Sequence, residues 1–386
     1  MRLSVYVHFP YCERRCPYCD FATIAEDRGS IPHARYAEAI EAELEARRAE
    51  LPEAQLHSIF FGGGTPSLWE SEAMGRVIEA IRIKFDSHSS VGSSDFTPEI
   101  TVECNPSSLD REKARELRAI GVNRLSIGVQ SLDDARLRFL GRLHDAKGAM
   151  RAIEAARAEF DRVSADMIFA AADQREEELL TELDELLKFD LEHLSLYALT
   201  IEEGTPFHER LKRGKLPMAS DDRYARLFLE AEARLLAEGY RHYEVSNYAR
   251  PGGESAHNLH YWTGGAYLGL GAAAVGCLPL PDQRAIRRKN RVAPGDYLAR
   301  PGGAPEESEL LEPLDRLNEA LMLGLRIEEG VSLSAVREAT GLDLLKVKER
   351  AVRRRIERGD LILEGDRLRV PRDRWLSLDG IVVDLF

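Results

Sequence analysis

Y-V-H-F-P-Y-C-E-R-R-C-P-Y-C-D-F, residues 6–21, holds three of the five cysteines in a chain of 386 residues. Cys12, Cys16 and Cys19 stand in a C-x3-C-x2-C spacing, directly after an apolar run from Leu3 to Phe9 that reads as a strand. Three thiolates on one loop can converge on one inorganic site. A four-iron cluster takes four cysteine ligands as a rule, so a three-cysteine loop leaves one iron open to another chelator. A structural zinc wants four ligands, usually as two separated pairs, and no second C-x2-C pair exists here. Disulfides fit worse. Five cysteines in a chain of this length, with no charged-then-apolar leader, describe a reducing, cytoplasmic setting where clustered cysteines bind metal or do chemistry. Cys104 and Cys277 read as small buried apolar residues.

Working outward from that loop, short β-type runs alternate with amphipathic helical stretches. Strands are predicted near Leu3 to His8, Leu56 to Phe61, Glu99 to Cys104, Arg124 to Val129, Val163 to Phe169 and His193 to Leu199. Between them helices are predicted near His33 to Arg48, Glu70 to Lys84, Arg111 to Ile120, Ala146 to Phe160, Glu176 to Lys188 and Asp221 to Glu238. The alternation predicts an α/β fold in which six β-α units make a partial (β/α)6 barrel. The polar stretch from Asp86 to Thr97 reads as a flexible loop without chemistry.

The barrel with its extension is expected over residues 1–293, and a Pro-, Gly- and Ala-rich linker over 294–308. Residues 309–386 are expected to form a smaller α+β domain. Its helices near Pro313 to Leu323, Leu333 to Thr340 and Leu344 to Arg358 precede a hairpin from Leu361 to Val370, the order of a winged helix. The basic run from Lys346 to Arg358 fits a DNA-reading helix or simply a solvated face. A formal charge of -13, from 53 Lys+Arg against 66 Asp+Glu, argues against a nucleic-acid partner. The hydrophobic content of 44% is ample for a core, yet no run of eighteen apolar residues is present, so no transmembrane segment is expected.

In folds of this class the ligand sits at the C-terminal ends of the strands, and the unusual residues fall there. After the second strand comes G-G-G-T-P, Gly62 to Pro66, which is either a tight turn or a backbone cradle for a ligand. The third strand ends at Glu103 in E-C-N-P, and the fourth at Gln130 in G-V-Q-S, with Arg142 following in L-G-R-L-H. The fifth carries Asp166 in S-A-D-M-I-F. Each alone reads as a solvated loop group. Repeated on successive strands, they form a polar ring around a ligand mouth.

The cysteine spacing resembles the signature of the radical S-adenosylmethionine (SAM) superfamily. That resemblance implies a [4Fe-4S] cluster whose open iron is chelated by the amino and carboxylate groups of SAM. Electron transfer into the sulfonium, from an external donor through the cluster, then yields a 5'-deoxyadenosyl radical. Residues 6–21 together with F-G-G-G-T-P, V-E-C-N-P, S-I-G-V-Q-S and L-S-L-Y-A-L-T-I-E-E-G-T-P resemble, over nearly the whole chain, the family of oxygen-independent coproporphyrinogen III dehydrogenases and related heme chaperones. By that resemblance Cys12, Cys16 and Cys19 match the cluster ligands. Tyr6, Gly63, Gly64, Thr65, Glu103, Gln130, Arg142 and Asp166 match SAM-contacting positions.

Two features separate the branches of that family. The dehydrogenases have a fourth cysteine two residues after the third and an N-terminal extension. Here Phe21 takes that place and five residues precede Tyr6. H-N-L-H-Y-W, His257 to Trp262, and L-M-L-G-L-R, Leu321 to Arg326, match the chaperone branch. The implied partners are heme and an unidentified heme-accepting protein. His257 reads either as a packed, hydrogen-bonded histidine or as an axial ligand to heme iron, with Tyr261 and Trp262 offering flat faces to the macrocycle. Two departures stand out: Ala170-Ala171-Ala172 where the family has a Gly-Leu-Pro turn, and Val275 where chaperone relatives show His. The dehydrogenase, or a radical SAM enzyme acting on another substrate, is the alternative.

Overall fold

A computed structural model describes residues 1–48, 51, 54–86, 97–171 and 174–386. Most of the stretch from Asp86 to Thr97, and Ala172, lie outside the described residues. The six predicted strands are present as β1 (Arg2–Phe9), β2 (Gln55–Gly63), β3 (Glu99–Cys104), β4 (Arg124–Gln130), β5 (Arg162–Phe169) and β6 (His193–Ala198). Each pairs in parallel with the next, so the strands lie side by side in chain order. The crossover helices His33–Ala46, Ser71–Asp86, Arg111–Ala119, Ala146–Arg157 and Glu176–Leu187 begin and end within a few residues of the predicted positions. Asp110 and Asp145 explain two of the starts: each side chain accepts from the backbone N–H three residues on. Such a cap is worth about 1 kcal/mol.

The sheet does not close. Beyond β6 come β7 (Arg241–Glu244) and β8 (Asn247–Ala249), which pair antiparallel at that edge. On the other side of β1 lie β9 (Ala266–Leu270), β10 (Val275–Pro279), β11 (Ala285–Lys289) and β12 (Glu307–Leu311), of which β9 runs parallel to β1. The twelve-stranded order is β12-β11-β10-β9-β1-β2-β3-β4-β5-β6-β8-β7. Sequence reading found none of these last six strands. Residues 294–308, read as a linker, contain the helix Pro294–Ala299 and the first residues of β12.

Alternation along β1–β6 decides which side faces what. Leu3, Val5, Val7, Ile59, Phe61, Ile100, Val102, Leu125 and Ile127 are fully buried beneath the helices in one core. The residues between them turn the other way and are mostly polar: Ser4, Tyr6 and His8 on β1, Thr101 and Glu103 on β3, Arg124 and Ser126 on β4. The apolar layer outside holds the sheet to its helices. The polar layer inside is free for a ligand.

The C-terminal region has its own core around Leu317, Leu321, Leu325, Leu368 and Trp375. Its strands β13 (Val331–Ser332), β14 (Ile362–Glu364) and β15 (Arg367–Arg369) form a separate sheet in the order β13-β15-β14. The helix predicted from Leu344 to Arg358 is instead two, Leu344–Val347 and Glu349–Glu357, because Lys348 leaves the helical region at φ -110°. Its basic residues have partners of their own: Arg353 pairs with Glu349, Arg354 with Asp384 and Arg355 with Asp360.

Candidate functional site

At the top of the barrel two short strands, Tyr11–Cys12 and Ile24–Ala25, pinch the base of the cysteine loop. The three thiols are free and half-buried. Among the described residues no three His, Cys, Asp or Glu side chains converge on a single ion. A lone zinc would need such convergence; a polynuclear cluster places its thiolates on separate irons and does not. The loop is held from outside by two residues of the candidate set. Thr65 Oγ1 donates to Cys12 Sγ at 3.4 Å. Arg142 Nη1 reaches Cys16 Sγ at 3.6 Å while its Nη2 donates to the Gly128 carbonyl at 3.0 Å. Burial pushes the Cys12 thiol up to about 11, so deprotonation at neutral pH needs the charge of a bound metal.

The glycines are required for space. Gly63 has φ +107°, and a Cβ on it would lie 2.5 Å from the His8 ring. A Cβ on Gly64 would meet the Tyr11 carbonyl oxygen at 2.6 Å. The loop also donates: Gly64 N–H to the Phe9 carbonyl, Thr65 N–H to that of Tyr11, and Gly63 N–H to Glu103 Oε2 at 3.2 Å. His8, which sequence reading passed over, locks this corner. Its Nε2 lies 3.0 Å from the Ala22 carbonyl, which can only accept, so Nε2 carries the proton and Nδ1 accepts from Tyr6 Oη at 3.0 Å.

Below the loop, a cavity of about 1170 Å³ runs down the polar inner face and out toward the C-terminal region. Tyr6, Gly63, Glu103, Asp166 and His257 all line it; Gly64, Thr65, Gln130 and Arg142 do not. Gln130 sits at a register break between β4 and β5, with a left-handed φ of 66°. Burial first, and Asp166 second, push the Glu103 carboxyl up to about 8. Asp166 is also raised by burial, against hydrogen bonds from Ser126 Oγ at 3.0 Å and Ser164 Oγ at 3.4 Å. The Arg124 charge works the other way on both carboxyls but is outweighed by their burial.

The far end is built by the helix Ala256–Trp262, capped by Ser255. Glu99, at the start of β3, accepts from the N–H groups of Ala256 and His257 and pairs with Arg162 at 2.9 Å. His257 is buried, its Nδ1 2.8 Å from Ser58 Oγ and its ring 5.0 Å from that of Phe60. Burial drives its conjugate acid down to about 3, so the imidazole is neutral across the physiological range. Tyr261 and Trp262 also line the cavity, but meet edge-on at 73° and present no common flat face. Val275, at the start of β10, lines the same wall. Further groups that sequence reading missed face this space: Ser126, His193, Glu244, Asn247 and Arg124. For Arg124, Ser126 and His193 the signal was the period-2 alternation inside strands already predicted, as in R-L-S-I-G and H-L-S-L-Y; Glu244 and Asn247 belong to β7 and β8, which gave no such signal.

Comparison with known proteins agrees with this layout. Residues 6–186 match the radical SAM superfamily, and residues 311–376 match the HemN C-terminal domain. A mouse protein, the mitochondrial radical S-adenosyl methionine domain-containing protein 1, is 37% identical over 86% of this chain and 74% of its own. The heme chaperone HemW of Haemophilus influenzae is 34% identical over 90% of this chain and 88% of its own. The chain belongs to the radical SAM superfamily, in the HemN- and HemW-like family. The solved coproporphyrinogen III oxidase HemN of Escherichia coli, at 20% identity, shares the fold with a TM-score of 0.79 over 99% of this chain and 89% of that one. Membership of the radical SAM superfamily implies a [4Fe-4S] cluster and SAM. The site fits both: a pinned three-thiol loop, and beneath it a backbone cradle next to two carboxyls. No helix among the described residues is long and apolar enough to cross a membrane.

Proposed function

We propose that this chain is a heme chaperone: it holds a [4Fe-4S] cluster and SAM at the upper end of the barrel, binds heme in the lower cavity, and passes the heme to an acceptor protein in the cytoplasm. Cys12, Cys16 and Cys19 ligate the cluster. Gly63 and Gly64 receive the amino group of SAM, with Glu103 as its counter-charge, while Tyr6, Gln130 and Asp166 complete the SAM pocket. Thr65 and Arg142 hold the thiolates. The bound cluster supplies an electron, delivered by a donor protein, to SAM. This chain's own residues bind, orient and exclude water.

The observation that carries the heme reading is His257. A neutral imidazole held at Nδ1 by a hydroxyl, with its Nε2 left without a hydrogen bond among the described residues, is what an axial ligand requires. The ligand's orientation is then set by Ser58 before heme arrives. The relatives named heme chaperone, and Phe21 in place of a fourth cysteine, support the same branch.

The test is anaerobic and uses one sample for two measurements. The protein is reconstituted with iron and sulfide, then titrated with heme and separately incubated with coproporphyrinogen III, SAM and reductant. A Soret band without porphyrinogen conversion is expected. Decarboxylation at enzyme-like rates would transfer the chain to the dehydrogenase branch, and neither result would leave a radical SAM reaction on another substrate.

A further inference from the structure

Arg124 is the most deeply buried arginine of the barrel, 1% exposed at the start of β4, and it lines the cavity. Its Nε is buried without a hydrogen bond, and its guanidinium makes no hydrogen bond or ion pair among the described residues. That is an expensive arrangement. A buried guanidinium with five donors is ordinarily hydrogen-bonded, whereas here its charge is met only at longer range, by the Glu99, Glu103, Asp166 and Glu192 carboxyls, and its donors stay unused. Glu99 feels the Arg124 charge, but its direct contacts go elsewhere: it pairs with Arg162 at 2.9 Å and accepts from two backbone N–H groups. Its neighbours on the flanking strands are Thr101 and Arg162, neither of which carries a negative charge, and the Thr101 hydroxyl makes no hydrogen bond to it.

We propose that Arg124 is the receptor for a carboxylate on the ligand of the lower cavity, and, resting on the heme reading above, that this carboxylate is a heme propionate. Position favours it. Arg124 is level with Thr101, three residues and about 10 Å below the level of Gly63. It is one inward pair above Ser58, which holds His257. SAM carries a single carboxylate, and that belongs at the iron, so SAM has no anion to offer here. A ligand whose metal sits at His257 and whose edge carries an acid would reach Arg124 from below. The volume allows it: 1170 Å³ exceeds the roughly 300–1,000 Å³ of most single-ligand clefts. Arg suits the task because its planar fork grips a carboxylate through two parallel bonds.

Heme and heme dimethyl ester, which keeps the macrocycle and iron but lacks the propionate charges, separate this role from a structural one. Wild-type protein is expected to bind heme about tenfold or more tightly than the diester, from the loss of one charge-assisted pair. Arg124→Gln is expected to remove that preference, weakening heme by the same factor and leaving diester affinity unchanged. Arg124→Lys, which keeps the charge if the Gln variant does not fold, is expected to retain part of the preference. Equal weakening of both ligands in either variant, or equal wild-type affinity for both, would overturn the propionate assignment and leave the heme reading standing. Wild-type protein that binds neither ligand would overturn the heme reading, and this inference with it.

Discussion

The two ends of the barrel cavity are made in different ways. At the upper end the chemistry is carried by loops and backbone: three thiols on a pinched loop, and glycines placed where any side chain would strike His8 or Tyr11. At the lower end it is carried by side chains of regular elements, Ser58 and Arg124 on strands and His257 on a capped helix. Loops put their chemistry into short motifs. Strands spread theirs over alternate positions of segments far apart in the chain. The upper end can therefore be read from local sequence and the lower end only after the strands are aligned.

Removing the chemistry of one end should leave the other end intact. Replacing Cys12, Cys16 and Cys19 together by Ala is expected to take bound iron from about four per chain to near zero and to abolish the iron-sulfur absorption. Cys104 cannot substitute, since it is buried under the barrel core with its thiol pushed up to about 12. Heme titration of the same variant is expected to give an unchanged Soret band. Full iron and sulfide content in the triple variant would remove the cluster assignment.

The converse variants act from below. His257→Ala is expected to abolish or shift the Soret band while iron-sulfur content stays normal. Ser58→Ala, which removes only the hydrogen bond to Nδ1, is expected to weaken heme about tenfold, the usual cost of losing a partner that orients a metal ligand. An identical heme spectrum and affinity in both would mean that His257 is simply packed.

How much of this was legible beforehand follows the same division. The six central strands, their helices and the polar strand residues Glu103 and Asp166 could be placed because apolar runs and capping residues are local signals. Strands β7–β12 were not legible: β8 is three residues long, and β11 reads A-I-R-R-K, whose arginines look like loop. Arg124 opens β4 and His8 stands next to the end of β1, both in the polar phase of the alternation, which an apolar run does not mark as facing a ligand. The His257 alternatives stayed open because a packed histidine and an open one have the same sequence; only the geometry of Ser58 separates their two nitrogens.

A smaller effect sharpens the upper end through pH. In the ligand-free protein Glu103 holds its proton up to about pH 8, because burial and Asp166 disfavour the charge. Binding the ammonium of SAM favours the carboxylate, so below that pH binding must release a proton. SAM affinity is expected to fall up to tenfold per unit as pH drops from 8 toward 6. Glu103→Gln, with no proton to release, is expected to bind SAM about tenfold or more weakly at pH 8 and to lose this pH dependence. Calorimetry at several pH values in buffers of different ionisation enthalpy measures both the affinity and the released proton. The same slope in both proteins would exclude Glu103 as the group that titrates.

The smallest effect concerns the turn after β5, where the family's Gly-Leu-Pro is replaced. Ala170 is buried with φ +62°, in the left-handed region, its N–H donating to Gln174 Oε1 at 2.8 Å. An L-residue there costs about 1–2 kcal/mol, which glycine avoids. Against this, glycine loses about 0.4–1 kcal/mol through the freedom of the unfolded chain, and removing a buried methyl forfeits up to about 0.8 kcal/mol. Ala170→Gly is therefore expected to be neutral or slightly stabilising. Ala171 is equally buried but does not share the positive φ, so Ala171→Gly meets the same two losses without the relief and is expected to destabilise by about 1 kcal/mol or more. Denaturant midpoints of the two variants, compared with each other, isolate the conformational contribution. Equal losses at both positions would mean that the turn bears no strain, and that the chain accommodates alanine beside the SAM pocket without cost.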